Sequence, residues 1–390
     1  MPGTVMPVKV ITVPKTLSTP RIIAVESTAM QYAQQGLSDS FTRHIDRSSI
    51  GEIMSWKSQE PNQLLALRGS YPMPEIVNRR SLHVGFATLD LSDASDLVDS
   101  QLVRDIFRDY PLVLEAVMAM RSPQASVLGK VLDLSKYASM GSALCFPIES
   151  IIFTILVFIG LRRVYPTIRP ENLIKEFSGL VRVYGDDIVV PVRAAQSVVQ
   201  TLQAYGLRVN NTKSFWTGMY RESCGKEYFA GLDVTIAKVK HVLPSTRKPI
   251  TGQEQEIVST VALRNNLYKR GYHDTAKWLD TILEKCLHGN YPIVLDSSPI
   301  LGRVNSVDLY QVDRIHPDLQ VPLVKGYRVS SHSPSSKLDG YGALVKTLGN
   351  RSDDPIFDPQ HLLRAGRPRA LRIKLGYGKP FGYHIKRDIA

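Results

Sequence analysis

Two short apolar runs, Val181-Arg-Val-Tyr184 and Ile188-Val-Val190, are separated only by Gly185-Asp186-Asp187. Two β-rich runs closed by so tight a polar step predict a hairpin. An Asp-Asp pair alone is ordinary turn chemistry, because aspartate favours turns for backbone reasons. Set at the tip of an apolar hairpin, the pair becomes a candidate metal site.

The flanking sequence predicts what the hairpin packs against. Leu82–Leu91 (LHVGFATLDL) is rich in apolar and β-compatible residues and predicts a buried strand ending at Asp90. An amphipathic helix over Leu97–Phe107 follows, with Val98, Leu102 and Ile106 spaced by four, and then a hairpin-like insertion around Pro123 and Gly129. Leu144–Val164 predicts a long apolar helix. Its greasiest part, Ile151–Leu161, is short for a bilayer and is flanked by Glu149, Arg162 and Arg163, so it is expected to be buried in protein. Ala195, Val198, Val199 and Leu202 form a helical stripe that Gly206 caps, and Leu207–Val209 continues as a strand. Strand, helix, helix, hairpin, helix, strand is the order of an α+β fold, an antiparallel sheet backed by helices. Prolines at 14, 20, 61, 72 and 74 break residues 1–80 into short elements. Beyond residue 236, Glu254–Tyr268 and Thr275–Leu287 predict helices, 290–360 is loop-rich, and Ser331–Ser336 predicts a surface loop.

Charge narrows the partners. Lys and Arg outnumber Asp and Glu by 48 to 36, a surplus of +12 that favours nucleic acid first and an acidic membrane second, though a merely basic protein has the same balance. Arg364, Arg367, Arg369, Arg372, Lys374, Lys379, Lys386 and Arg387 crowd the last thirty residues with Tyr377, Phe381 and Tyr383 between them. Basic residues interleaved with aromatics suit a strand of nucleic acid, and a solvated tail has the same composition. The three cysteines form no CxxC pair, which argues against a disulfide framework or structural zinc and fits a reducing cytosol.

Nucleotidyl transfer needs an attacking 3′-hydroxyl made more acidic and a leaving pyrophosphate neutralised, and two divalent ions do both. Magnesium takes hard oxygen ligands and keeps several waters, so two or three carboxylates on rigid elements suffice. Asp90 at a strand end and Asp186-Asp187 at a hairpin fit that need. Asp96, at the start of the following helix, could accept a hydrogen bond from a ribose 2′-hydroxyl, or merely cap the helix.

The motifs carry a resemblance. The YGDD hairpin resembles the third catalytic motif of viral RNA-directed RNA polymerases, and Asp90-Leu-Ser-Asp-Ala-Ser-Asp96 resembles their first. FATLDLSDASD (86–96), RSP (121–123), SMGSALCFPIES (139–150), NNTKSF (210–215) and RESCGKEYFAGLDVT (221–235) stand in the order seen in replicases of RNA bacteriophages. Upstream, VPKTLSTPRIIAVEST (13–28) and NQLLALRGS (62–70) resemble that family's fingers segment. The resemblance covers roughly residues 10–270.

It implies a right-hand polymerase: a fingers segment over 1–80 with an insertion near 110–140, a palm over 81–235, and a thumb with a basic C-terminal region over 236–390. It implies copying of a single-stranded RNA template from ribonucleoside triphosphates without a primer, with Asp90, Asp186 and Asp187 holding two Mg²⁺ ions, or Mn²⁺ in their place. Lys15 and Arg21 would grip the triphosphate, though an exposed basic loop would look the same. Gly141 and Ser142 would open the second motif, where small residues let template and nucleotide approach; an ordinary helix start with Ser as cap is the alternative. Lys213 would protonate pyrophosphate or be a surface lysine. Arg221 and Lys226 would lie near the priming end. The implied partners are host elongation factors Tu and Ts and a ribosomal protein, the implied place is a bacterial cytoplasm, and no membrane is expected.

Two departures stand out. The wider viral pattern has Thr and then Asn where Cys145 and Glu149 stand; Glu149 matches the phage replicases, and Cys145 leaves the sugar contact open. The chain also begins almost at the fingers motif, so either the N-terminal fingers are reduced or the sequence is a piece of a longer replicase. A polymerase of capsidless eukaryotic RNA viruses is the nearest rival, disfavoured by RESCGK. A reverse transcriptase is disfavoured by Asp96, and a silent RNA-binding palm by the complete set of aspartates.

Overall fold

The computed structural model describes residues 5–14, 20–72, 75–77, 82–332, 341, 342, 345 and 370–382. The chain divides into two compact units, one of residues 1–13 and 20–236, the other of 14–19 and 237–390.

At the centre of the first unit is a three-stranded antiparallel sheet, Phe86–Leu89, Asp187–Pro191 and Arg182–Tyr184, with Asp187–Pro191 in the middle. All four residues of Phe86–Leu89 are buried, as are Val183, Ile188, Val189 and Val190, so the sheet is packed on both faces. The helix Cys145–Val164 supplies Ile148, Ile152, Phe153, Leu156 and Leu161 to the core. It packs on the helix Val192–Ala204, which contributes Ala195, Val198 and Leu202. By length and composition Cys145–Val164 could cross a bilayer, but 67% of that stretch is buried inside the protein. Gly160 sets how closely the helices approach, since a Cβ there would lie 2.8 Å from the Val198 Cα.

Two expected elements are broken. Leu82–Leu91 is three short strands: Leu82–Val84 pairs with Glu75–Val77, Phe86–Leu89 joins the central sheet, and Leu91–Ser92 pairs with Arg208–Val209. The first break falls at Gly85, whose carbonyl accepts a hydrogen bond from the Val192 N–H at 2.8 Å. Asp90 therefore sits directly after the end of Phe86–Leu89, at the junction with Leu91–Ser92. The expected helix Leu97–Phe107 is split into Ala94–Leu97 and Ser100–Ile106. Its backbone opens at Val98 and Asp99 because the segment 135–137 competes for it: Tyr137 N–H bonds the Val98 carbonyl at 2.7 Å and Ser100 N–H the Ser135 carbonyl at 2.9 Å. Asp99, not Asp96, caps the second helix, accepting from the Gln101 N–H at 2.6 Å.

The insertion is a hairpin, Gln124–Val127 with Lys130–Asp133, and the strand Val8–Pro14 pairs in parallel with its first arm.

In the second unit the helices Glu254–Lys269 and His273–Cys286 pack together through Ile257, Val261 and Leu283. The loop-rich expectation for 290–360 is wrong over Pro322–His332, an 11-residue strand. The C-terminal stretch is likewise no tail over Ala370–Gly378, which pairs with that strand along its length. Tyr327, Val329 and Ile373 anchor the ribbon on the two helices. Glycines 326, 376 and 378 and the interspersed cations dilute the apolar alternation that would have marked these strands. Ser331 belongs to the first strand, while residues 333–336 of the expected loop lie outside the described residues, as do Arg364, Arg367, Arg369, Tyr383, Lys386 and Arg387.

Gly160→Val should lower the melting temperature by several degrees, since forced overpacking costs about 1–3 kcal/mol. Thermal denaturation followed by circular dichroism measures it, and an unchanged midpoint would mean the helix pair yields freely.

Candidate functional site

Asp90 is held from two directions. Its N–H donates to Ser214 Oγ at 3.1 Å, and its carbonyl accepts the Asn210 N–H at 2.8 Å. Asn210 also reaches the side chain, donating from Nδ2 to Asp90 Oδ2 at 3.1 Å. The strand register pairs Ile188 with Leu89, so the next step along the ladder sets Asp187 beside Asp90.

Asp187 has its own frame. Its Oδ1 accepts the Cys224 N–H at 2.9 Å and the Ser223 hydroxyl at 3.3 Å, and its carbonyl accepts Asn62 Nδ2 at 3.1 Å. The turn before it is seated by the core helix, where Ser150 Oγ accepts the Gly185 N–H at 3.1 Å. Gly185 has φ +58°, and a Cβ there would overlap the Phe146 ring, so both backbone and space call for glycine. Phe146 meets Tyr184 edge to face, ring centres 5.0 Å apart.

The electrostatics record how much negative charge is gathered here. Burial pushes the Asp90 carboxyl up to about 6; Lys213 opposes the rise, and Asp186 and Asp187 add to it. Burial raises Asp187 as well, against the hydrogen bonds from Ser223 and Cys224. Glu149 is pushed up to about 8, first by burial and then by Asp186 and Asp96. Among the described residues no three His, Cys, Asp or Glu side chains already converge as a ligand set.

Asp186, Asp187 and Lys213 are thus all within electrostatic reach of Asp90. Lys213 is exposed, in a turn where its N–H donates to the Asn210 carbonyl at 3.1 Å. Asp96 is exposed and paired with Lys136 at 2.6 Å. Gly141, at φ +129°, runs so close to the Pro20–Val25 strand that a Cβ would overlap the Ala24 carbonyl oxygen. Ser142 is not the helix cap; that position is Leu144, whose N–H donates to Ser142 Oγ at 3.2 Å. Arg21 is exposed on the Pro20–Val25 strand. Lys15 lies outside the described residues.

Arg221, expected near the priming end, is buried in the fold. Its guanidinium is buried, Nε donating to the Phe86 carbonyl at 2.5 Å and Nη1 to the carbonyls of Thr217, Gly218 and Tyr220. It braces the hairpin Tyr220–Phe229. Lys226 pairs with Asp233 at 2.7 Å. Sequence reasoning passed over Asn62, Ser150, Asn210, Ser214 and the Cys224 amide, which hold the aspartates. Their signal was their place inside the stretches NQLLALRGS, SMGSALCFPIES, NNTKSF and RESCGK.

An antiparallel sheet backed by helices, with carboxylates gathered where its strands end, has the α+β fold of the right-hand polymerases. The family model described as RNA replicase, beta-chain, matches residues 4–249, and the chain belongs to that family. The RNA-directed RNA polymerase subunit beta of Qbeta virus (strain MX1) is 31% identical over 238 residues, 61% of this chain and 36% of the relative. The corresponding beta chain of Escherichia phage MS2 is 30% identical over 231 residues, 59% of this chain and 37% of the relative. The matches therefore span little more than a third of those relatives' length. Among solved structures, the RNA-dependent RNA polymerase of a human picorbirnavirus is similar with a TM-score of 0.46 and 13% identity, covering 73% of this chain and 56% of that one.

Glu149 gives a pH-dependent signature. Its folded-state value of about 8 lies above the ordinary 4.5, so the unfolded chain releases the proton first. Glu149's contribution to stability is present below about 4.5, falls as pH rises toward 8 and is gone above it. Glu149→Gln should lack this loss, so in metal-free buffer its melting temperature should overtake that of wild type as pH rises through this window. Parallel curves for the two proteins would refute the assignment.

Proposed function

We propose that this chain is the catalytic part of an RNA-directed RNA polymerase that copies single-stranded RNA from ribonucleoside triphosphates. The observation that carries the reading is the gathering of Asp90, Asp186 and Asp187 at adjoining strand ends, where Asp90 is raised to about 6 by burial and by the other two, against the opposing charge of Lys213. The donor set suits a hard divalent cation, since these are carboxylate oxygens on rigid elements carrying mutual repulsion that a cation relieves. Asp90, Asp186 and Asp187 would hold two Mg²⁺, with Mn²⁺ as the alternative. Such ions, when bound, acidify the attacking 3′-hydroxyl and neutralise the leaving pyrophosphate.

The chain's own residues take the remaining roles. Lys213, beside Asp90, donates a proton to the departing pyrophosphate, and Arg21 with Lys15 grips the triphosphate. Gly141 and Ser142 give backbone room to template and nucleotide. Asp96 reads the ribose 2′-hydroxyl, exchanging its Lys136 partner for the sugar. Residues 1–80 and 110–140 act as fingers, 81–235 as palm and 236–390 as thumb. The beta-chain name of the relatives supports a complex with further subunits, for which elongation factors Tu and Ts and a ribosomal protein of a bacterial host are the candidates.

A second contact with RNA is supported in the basic ribbon. Arg328 stands directly opposite Lys374, with Arg372 one alternate position along, and all three are exposed on positions that alternate with the anchoring Val329 and Ile373. Like charges facing each other across a ladder are destabilising on their own. Phosphates of a single strand laid over this face would compensate them.

Asp186→Asn keeps the size of the side chain and removes a charge. RNA synthesis on poly(A) with labelled UTP should fall by orders of magnitude and RNA binding should persist; synthesis comparable to wild type would remove Asp186 from the site. Arg372→Ala with Lys374→Ala should reduce the salt slope of single-stranded RNA binding by about 0.7 for each phosphate no longer neutralised. An unchanged slope would return the ribbon to a solvated face.

A further inference from the structure

The helix Glu60–Gly69 carries two adjacent amides in its first turn, and each has a separate target in the acidic cluster's frame. Asn62, fully buried, donates from Nδ2 to the Asp187 carbonyl at 3.1 Å. Gln63, half-buried, donates from Nε2 to the Cys224 carbonyl at 3.1 Å. Cys224, at φ +49°, donates its own N–H to Asp187 Oδ1 at 2.9 Å. The bonds form a closed circuit running from the helix to the Asp187 main chain, from the helix to the Ser223-Cys224 turn, and from that turn to the Asp187 carboxylate.

The far end of the helix is also fixed. A Cβ at Gly69 would fall 2.7 Å from the Phe86 carbonyl oxygen, so the helix backbone lies directly against the strand that leads to Asp90. Asn62 Oδ1 is buried and has no hydrogen-bond partner among the described residues. A buried acceptor left unpaired is destabilising. The amide carries that cost at Oδ1 while its Nδ2 supplies the donor that holds the Asp187 carbonyl.

We infer that Asn62 and Gln63 are positioning residues for Asp187, fixing its main chain and its carboxylate from one rigid helix. What they serve rests on the polymerase reading: the pair sets where the Asp187 carboxylate meets a divalent cation. Removing the partners that orient a ligating group typically weakens metal affinity or activity by about 10–100-fold.

The test uses the full chain as wild type, Asn62→Leu, Gln63→Leu and Leu64→Ala, the last altering an exposed side chain of the same turn. Mn²⁺ binding is titrated by electron paramagnetic resonance, kcat and KM for UTP are measured on poly(A), and thermal midpoints verify folding. Both amide variants should bind Mn²⁺ about 10–100-fold more weakly and lose kcat with KM for UTP little changed, while Leu64→Ala should match wild type. If Asn62→Leu does not fold, Gln63→Leu decides. Wild-type Mn²⁺ affinity and kcat in folded Gln63→Leu would overturn the inference, as would an equal loss in Leu64→Ala or a wild type that binds no Mn²⁺. A wild type that makes no RNA, with the amide variants still binding Mn²⁺ more weakly, would overturn the polymerase reading and leave the positioning role standing.

Discussion

The constraint on which the first unit depends is the confinement of negative charge at the ends of a buried sheet. Asp90, Asp186 and Asp187 repel one another where water is scarce, and Asp90 registers that repulsion together with its burial. A fold can keep such groups in place only by fixing the backbone on both sides of each. The buried strands Phe86–Leu89 and Asp187–Pro191 do this from within the sheet. Asn210, Ser214, Ser150 and the Ser223-Cys224 turn do it from outside. The core helix Cys145–Val164 is part of the same frame, because Phe146 and Ser150 on its first turns seat the Gly185 step.

Much of that frame was legible in the sequence because the signals were local. The hairpin carrying Asp186 and Asp187, the long apolar helix and the stripe of Val192–Ala204 all follow from periodicity within one element. What escaped was decided by residues distant in the chain. Asp96 reads from the sequence as a ribose contact with a helix cap as the alternative, and the cap alternative rests on a continuous helix; the backbone of 135–137 breaks that helix, and the cap is Asp99. Resemblance alone places Arg221 near the priming end, and nothing local in the sequence marks it as buried. Only the folded chain brings the carbonyls of Phe86 and Thr217 to its guanidinium.

The second unit was less legible for a different reason. Its ribbon alternates apolar anchors with arginine, lysine and glycine, so neither strand offers the clean apolar alternation that a half-buried sheet normally shows. The pairing of Pro322–His332 with Ala370–Gly378 also spans some forty intervening residues, so no turn signal links the two strands. A basic composition was visible there; that Arg328, Arg372 and Lys374 share one face of a sheet was not.

The Cys224 contact to Asp187 has a consequence for how such chains diverge. The donor is a main-chain N–H, so the bond places no demand on the side chain at that position. It demands a residue that tolerates φ +49°, which glycine and asparagine meet more easily than cysteine. Over evolutionary time this main-chain contact can outlast a change of residue at 224, whereas the bond that the Cys224 thiol makes to Asp187 is lost with the cysteine. Asn62 has no such freedom, because its bond is made by a side-chain amide whose length and donor both matter. Two contacts on one aspartate would thus leave opposite traces in related sequences, one preserved as a backbone shape and the other as a residue.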